Sequence, residues 1–198
     1  MANWLGWGFE VDGTIEALAR HRPFSFFESY SYSSEITHEF YGRTDDLREF
    51  SIFIHTYRTN KHSYHQTILS IDCIDLDLPN FELKPESILE KVGQMFGFQD
   101  FDFTSYPKFS REYLLMGDNE QDVRALFSHD VLRFFEENRG VSIQKLNGNI
   151  IFYIPGRMCS ADDIQDFYRQ GIQALSWFLP KKKQLTAPKK KAGAYYYS

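Results

Sequence analysis

Leu78-Pro79-Asn80-Phe81-Glu82-Leu83-Lys84-Pro85-Glu86 is the stretch on which the reading of this 198-residue chain turns. Ahead of it lie runs rich in β-branched and aromatic residues; behind it helical and hairpin patterns alternate. Pro79 cannot donate to a strand ladder, so it closes the strand before it. Pro85 suits the first position of a helix, where a missing N–H costs nothing, and Glu86 suits the positive helix start. Beyond it Ile88, Leu89, Val92, Met95 and Phe96 recur at helical spacing, and Gly97 can take a left-handed cap. Together these signals predict a helix over residues 85–96.

Working upstream, three strands are expected at Glu35–Tyr41, Leu47–Tyr57 and Tyr64–Ile74, with a turn over Gly42–Asp46. Ile36, His38 and Phe40 should share one face of the first, and Phe50, Ile52 and Ile54 one face of the second. Short links between sequential strands most simply give an antiparallel meander. Asp12 or Thr14 can cap a short helix through Ile15, Leu18 and Ala19. The opening Trp4, Trp7 and Phe9 lack accompanying basic residues, so packing on the body is expected of them rather than membrane insertion. Phe24–Ser34, aromatic and serine-rich, reads as irregular.

Downstream, Phe98–Phe109 reads as a loop with Phe101 and Phe103 facing the core and Asp100 and Asp102 facing water. A short strand follows at Arg111–Met116. Asp118 with Gln121 opens a helical stretch to about residue 138, recapped near Ser128–Asp130 and ended by Gly140. Asn147-Gly148 between two apolar runs is a strong type I′ hairpin signal. Ser160 caps a last helix carrying Ile164, Phe167, Tyr168, Leu175 and Phe178. The expected class is α+β: an antiparallel sheet with a meander in the first half, helix-strand-helix-hairpin-helix in the second, and the helices packed on the sheet. A single domain over 1–179 is expected, strand-rich to about residue 77, followed by a basic tail at 180–198 that is too polar to offset its ordering entropy and should be disordered.

The nineteen phenylalanines and twelve tyrosines imply an aromatic-filled core, with some rings left for partners. The net charge of −5 conceals an asymmetry: the last nineteen residues hold six lysines and no acid, leaving sixteen bases against 27 acids, a balance of −11, in the rest. An acidic body argues against nucleic acid as its main ligand, because phosphate binding needs a positive face. Cys73 and Cys159, 86 positions apart and without a CxxC, read as reduced core thiols. No apolar run reaches the roughly 18 residues that span a bilayer, and no secretory signal opens the chain. A cytoplasmic location is expected, with peripheral membrane attachment through the tail as a variant.

Chemistry-bearing patterns are sparse. Asp72, Asp75 and Asp77 cluster after the third strand, and alternate acids on one strand face can hold a divalent ion. With His65 they form the one candidate metal set, the basis for an alternative reading as a metal-dependent hydrolase. His62 and His65, three apart, chelate poorly on a strand because they face opposite sides; His38 and His55 could meet only in one register. No nucleophile elbow or phosphate loop is present, and no cofactor is expected. Candidate binding residues are Tyr106, Phe109 and Arg111, past the last proline of the central stretch, and Lys181, Lys182 and Lys183, which could approach an anionic surface.

The segments Leu78–Glu86, Gly97–Phe103, Pro107–Tyr113, Gly117-Asp118 and Val123–Phe127, with the motifs LPxFxLxPE and QDxDFxxxPxFSxxY, resemble an uncharacterised bacterial family over roughly residues 36–175. Some members of that family carry membrane-spanning segments ahead of this domain; none is expected here. The resemblance implies one integrated domain and brings no activity or site residues with it. The expected function is therefore that of a non-catalytic interaction module, binding a protein partner or an anionic membrane surface.

Overall fold

The computed structural model describes residues 6–13, 20–21, 23–24, 34–58, 63–88 and 100–179. Among these residues eight strands form one sheet: β1 (Gly8–Asp12), β2 (Ser34–Arg43), β3 (Glu49–Arg58), β4 (Ser63–Asp72), β5 (Phe81–Pro85), β6 (Tyr113–Gly117), β7 (Ser142–Leu146) and β8 (Asn149–Tyr153). Their order is β1-β2-β3-β4-β8-β7-β5-β6, and every neighbouring pair is antiparallel. Among the described residues four helices accompany it: α1 (Pro107–Glu112), α2 (Glu120–Leu126), α3 (His129–Glu137) and α4 (Ile164–Leu175), with a 3-10 turn at Glu86–Ile88. The protein is thus α+β, with the meander in the first half and the helices on the sheet.

The central stretch corrects the expectation built on its prolines. Phe81–Pro85 is a strand, paired with β6 along its length and with β7 over Phe81–Leu83. Pro85 lies past the end of the β7 pairing, so its missing N–H breaks no ladder bond on that side. Phe81 and Leu83 point into the main core while Glu82 and Lys84 point to the other face, an ordinary strand alternation hidden between two prolines. The remainder of the helix expected over 85–96 lies outside the described residues. So do the segments 1–5, 14–19, 25–33 and 180–198, and with them what the sequence leads one to expect of Trp4, the first helix, the irregular stretch and the tail.

Two further corrections concern β1 and β2. Gly8–Asp12 is an edge strand on β2, and Trp7 ahead of it packs edge-on against Phe50 and Tyr168 at 5.1 and 5.0 Å between ring centroids. In β2 the register shifts between Thr37 and Phe40, where His38 takes φ +53°. That bulge inserts one residue and reverses the alternation. Ile36 therefore packs with Phe53 and Ile68 on one face, whereas Phe40 joins Trp7 and Phe50 on the other.

The main core fills the helix-bearing face. Phe50, Ile52, Leu69, Ile71, Ile143 and Phe152 of the sheet meet Val123, Val131, Phe135, Phe167 and Leu175 of the helices. Phe127 stands within 5.4–6.4 Å of the rings of Phe81, Phe103, Phe109, Phe135 and Phe178, so the aromatic-filled core is real. On the second face Phe24, Ile36, Phe53, Ile68, Ile151 and Tyr153 form a smaller cluster. The residues beside it are buried and polar, among them His55, Gln66, Gln144, Glu82 and Lys84.

Local signals account for most element ends. Asn119, not Asp118, caps α2, its side chain accepting from Asp122 N at 3.2 Å. The chain breaks at Phe127 and restarts α3 after Ser128. Asn147 and Gly148 take φ +47° and +81°, the two left-handed residues a type I′ turn requires. Ser160 donates to Asp163 Oδ2 at 2.7 Å and accepts from Asp163 N at 3.3 Å, one turn ahead of α4. No described helix is long and apolar enough to cross a membrane.

Candidate interaction surface at the β2–β3 turn

The turn that joins β2 to β3 falls at Thr44–Arg48, two residues later than expected, because Gly42 stays in the strand opposite Phe50. Leu47 N donates to Thr44 O at 2.8 Å, Arg48 N to Thr44 Oγ1 at 3.1 Å, and Thr44 N to Arg48 O at 2.9 Å. This is a three-residue hairpin loop whose third residue must be left-handed, a place that glycine normally fills. Here it is Leu47, with φ +62° and 62% exposed. A left-handed conformation costs a residue with a Cβ about 1–2 kcal/mol. The chain spends that energy on holding a leucine out in water, with no compensating burial.

Beside it stands Ile74, the most exposed large apolar residue described, at 77%. Its position is fixed by three contacts. Ile74 N donates to Asp72 Oδ1 at 2.9 Å, Cys73 N donates to Gly148 O at 2.7 Å, and the Ile74 side chain lies over Gly148, where a Cβ would come within 2.9 Å of it. The β7–β8 hairpin therefore props Ile74 outward. Between Leu47 and Ile74 opens a cleft of about 360 Å³ rimmed by Arg43, Glu49, Asp72 and Asp75. Asp75 pairs with Arg48 at 2.5 Å, and the Arg48 side chain is only 3% exposed, so this bond clamps the turn to the post-β4 loop. Arg43 and Glu49 pair loosely at 3.6 Å with both side chains exposed, an arrangement worth little in stability.

Two neighbouring clefts flank the same turn. One, of about 450 Å³, lies between the turn and α4; it has an apolar floor of Ile71, Tyr168, Ile172 and Leu179 under Asp45 and Asp46. The other, of about 360 Å³, holds Glu10, Arg20, Glu39, Tyr41 and Ser51. Burial raises the pKa of Glu39 above the usual carboxylate range, opposed by a hydrogen bond from Ser51 and the charge of Arg20.

The structure brings Asp72 and Asp75 to one cleft, while Asp77 is exposed beyond it. His65 is seven residues from Asp72 along β4, roughly 23 Å at strand rise, and bonds Thr56 Oγ1 through Nδ1 at 2.9 Å. Among the described residues no group of three or more His, Cys, Asp or Glu side chains could hold a metal ion. His38 and His55 do not pair: His55 lies opposite Ile36, and the His38 ring lies beside Phe9 at 6.3 Å between centroids. Tyr106, Phe109 and Arg111 do not form one surface. Phe109 is in the core, Tyr106 is half-buried with its hydroxyl on His129 Nδ1, and Arg111 is exposed on α1. Lys181, Lys182 and Lys183 lie outside the described residues. Asp100 does not face water as expected; its Oδ1 accepts from Leu115 N at 3.0 Å, and burial raises its pKa.

One contact that the sequence did not disclose has the appearance of a nucleophile and its base. Ser34 Oγ stands 2.6 Å from His55 Nε2, and Gln66 Nε2 lies 3.4 Å from Nδ1. Burial, with the charge of His21 added, lowers the His55 pKa to about 3, too weak a base for work near neutrality. The cysteines are equally quiet: both are buried free thiols, and desolvation pushes Cys73 up to about 11 and raises Cys159.

No protein-family model and no curated protein matches this sequence. Among solved structures the fold is similar to the crystal structure of the mycobacterial trehalose monomycolate transport factor A, TtfA. The TM-score is 0.61 at 9% identity, covering 92% of this chain and 94% of that one. At that identity the likeness is one of fold.

Proposed function

We propose that this protein is a non-catalytic interaction module that binds a protein partner through the surface around Leu47 and Ile74. The observation that carries the reading is Leu47 itself, an exposed leucine kept in a backbone conformation that disfavours it. Strain of this kind persists where the surroundings impose it, and it concentrates at functional positions. Around it the chemistry of a recognition site is assembled: two aliphatic anchors, a cleft between them and a charged rim. The partner that fits presents an apolar side chain to the cleft, with a cationic group beside it for Asp72. The shared fold with a protein named as a transport factor supports a role of this kind, as one component of a transport assembly rather than an enzyme, and it makes a membrane-associated partner the first to seek.

The test is capture from detergent-solubilised membranes on the immobilised domain, comparing wild type with Leu47→Asp/Ile74→Asp. A partner retained by wild type should lose at least tenfold in affinity for the variant, whose thermal unfolding stays within a few degrees. Equal retention by both proteins would sink the assignment of the surface. Flotation of the wild type with anionic vesicles, abolished by the same two changes, would give the surface to a membrane instead.

A further inference from the structure

We propose that Arg48 and Asp75 are positioning residues for the Leu47–Ile74 surface, a role that rests on the assignment of that surface to partner binding. Their ion pair fixes the two anchors in one arrangement, and recognition depends on it more than stability does.

The geometry follows from adjacency in the chain. Arg48 directly follows Leu47, and Asp75 directly follows Ile74. One bond, from Arg48 Nη1 to Asp75 Oδ1 at 2.5 Å, therefore joins the residues next to the two anchors. Both of its ends are held. Arg48 N donates to Thr44 Oγ1 and Arg48 O accepts from Thr44 N, so the side chain that makes the bond is carried by the residue that closes the turn. Ile74 and Asp75 are the central residues of a second turn, closed by Leu76 N donating to Cys73 O at 2.9 Å, and Ile74 N donates to Asp72 Oδ1. At this end of the sheet the β3–β4 ladder has its last pair at Phe50 and Ile71. Both anchors lie beyond that pair on separate loops, and the ion pair ties the loops together past the end of the ladder. Arg48 also lines the cleft beside α4 while Asp75 lines the cleft between the anchors, so the bond spans the turn from one cleft to the other.

The energetics point the same way. The Arg48 side chain is buried and that of Asp75 is partly exposed. Desolvating a guanidinium offsets much of the Coulomb attraction it gains, and apolar groups put in place of such a pair commonly leave a fold as stable as before. What a directional, charge-assisted bond supplies is a fixed geometry.

Hydrogen exchange and partner binding, measured side by side on the full chain, test this. Arg48→Met/Asp75→Ala removes both charges and keeps an apolar side chain in the buried place of Arg48. Its urea midpoint should match that of wild type. The amides of Leu47 and Ile74 should exchange at least tenfold faster, those of Ile52 and Leu69 at the wild-type rate, and affinity for the partner captured by wild type should fall at least tenfold. Asp75→Glu, which keeps the carboxylate, should retain both slow exchange and binding. Unchanged exchange at Leu47 and Ile74 would overturn the proposal, as would faster exchange with undiminished binding. A lowered midpoint with faster exchange throughout β3 and β4 would make the pair a stability element and overturn it too. If wild type captures no partner, the assignment of the surface falls, while the exchange comparison, which needs no partner, still decides whether the pair holds the anchors.

Discussion

Leu47 and His55 are the two residues at which local chemistry departs furthest from what their types prefer. Leu47 occupies a left-handed turn position. If its role is recognition, then Leu47→Gly should raise the unfolding free energy by about 1 kcal/mol by removing the steric cost, while partner binding weakens. Urea titration and the capture assay read the two effects separately, and a variant that is both less stable and fully competent would contradict the account. His55 is buried, and its pKa in the folded protein is lowered to about 3 from the ordinary 6.5. Between those values the unfolded chain binds a proton that the folded one refuses, so stability rises with pH through that window and is flat above it. The expected contribution is about 1.4 kcal/mol per pH unit between pH 4 and 6, absent in His55→Gln. Identical slopes for the two proteins in urea titrations across that range would remove His55 from the acid sensitivity. Neither residue could be picked out beforehand. Sequence alone places Leu47 at the start of a strand because Gly42 attracts the turn, although Thr44-Asp45-Asp46 is the better turn sequence. The burial of His55 follows from which face β3 presents, and register sets that.

At the scale of elements, α4 and β5 show how packing overrides or completes the local code. Gly171 stands in the interior of α4, where a glycine costs about 1 kcal/mol relative to alanine. A Cβ there would lie 2.5 Å from Leu69 Cδ2 and 3.0 Å from Phe152 Cδ1. The glycine lets the helix lie directly on β4 and β8. Gly171→Val should therefore destabilise the protein by about 2–3 kcal/mol, seen as a lower urea midpoint. An unchanged midpoint would mean that the helix can lift at no cost. β5 is the converse case. Its five residues alternate cleanly, yet its prolines imitate a strand stop and a helix start, and only its neighbours show that Pro85 sits where β7 has already ended. The Asn147-Gly148 hairpin was legible because its backbone demand is local and few sequences meet it. The bulge in β2 was not, since His38 is an ordinary residue in sequence and its positive φ arises from pairing on both sides.

At the scale of the molecule, β8 joins the early meander to the later strands through β4, so a single sheet runs through both halves. Unfolding should then be one cooperative event. Far-ultraviolet dichroism and tryptophan fluorescence, the latter reporting in part on Trp7 against Phe50 and Tyr168, should share one midpoint in urea. Two separated transitions would show that the halves are independently stable. The sequence by itself determined the α+β class, the meander, the aromatic core, the β7–β8 turn and the presence of a last helix after Ser160, because each depends on periodicity or on a residue with a restricted backbone. Only the tertiary structure decided that Phe81–Pro85 is a strand, that Asp72 and Asp75 share a cleft while His65 lies far along β4, and that Leu47 and Ile74 stand together. Those facts depend on strand register and order, which bring together residues 27 positions apart, and no local preference encodes that distance.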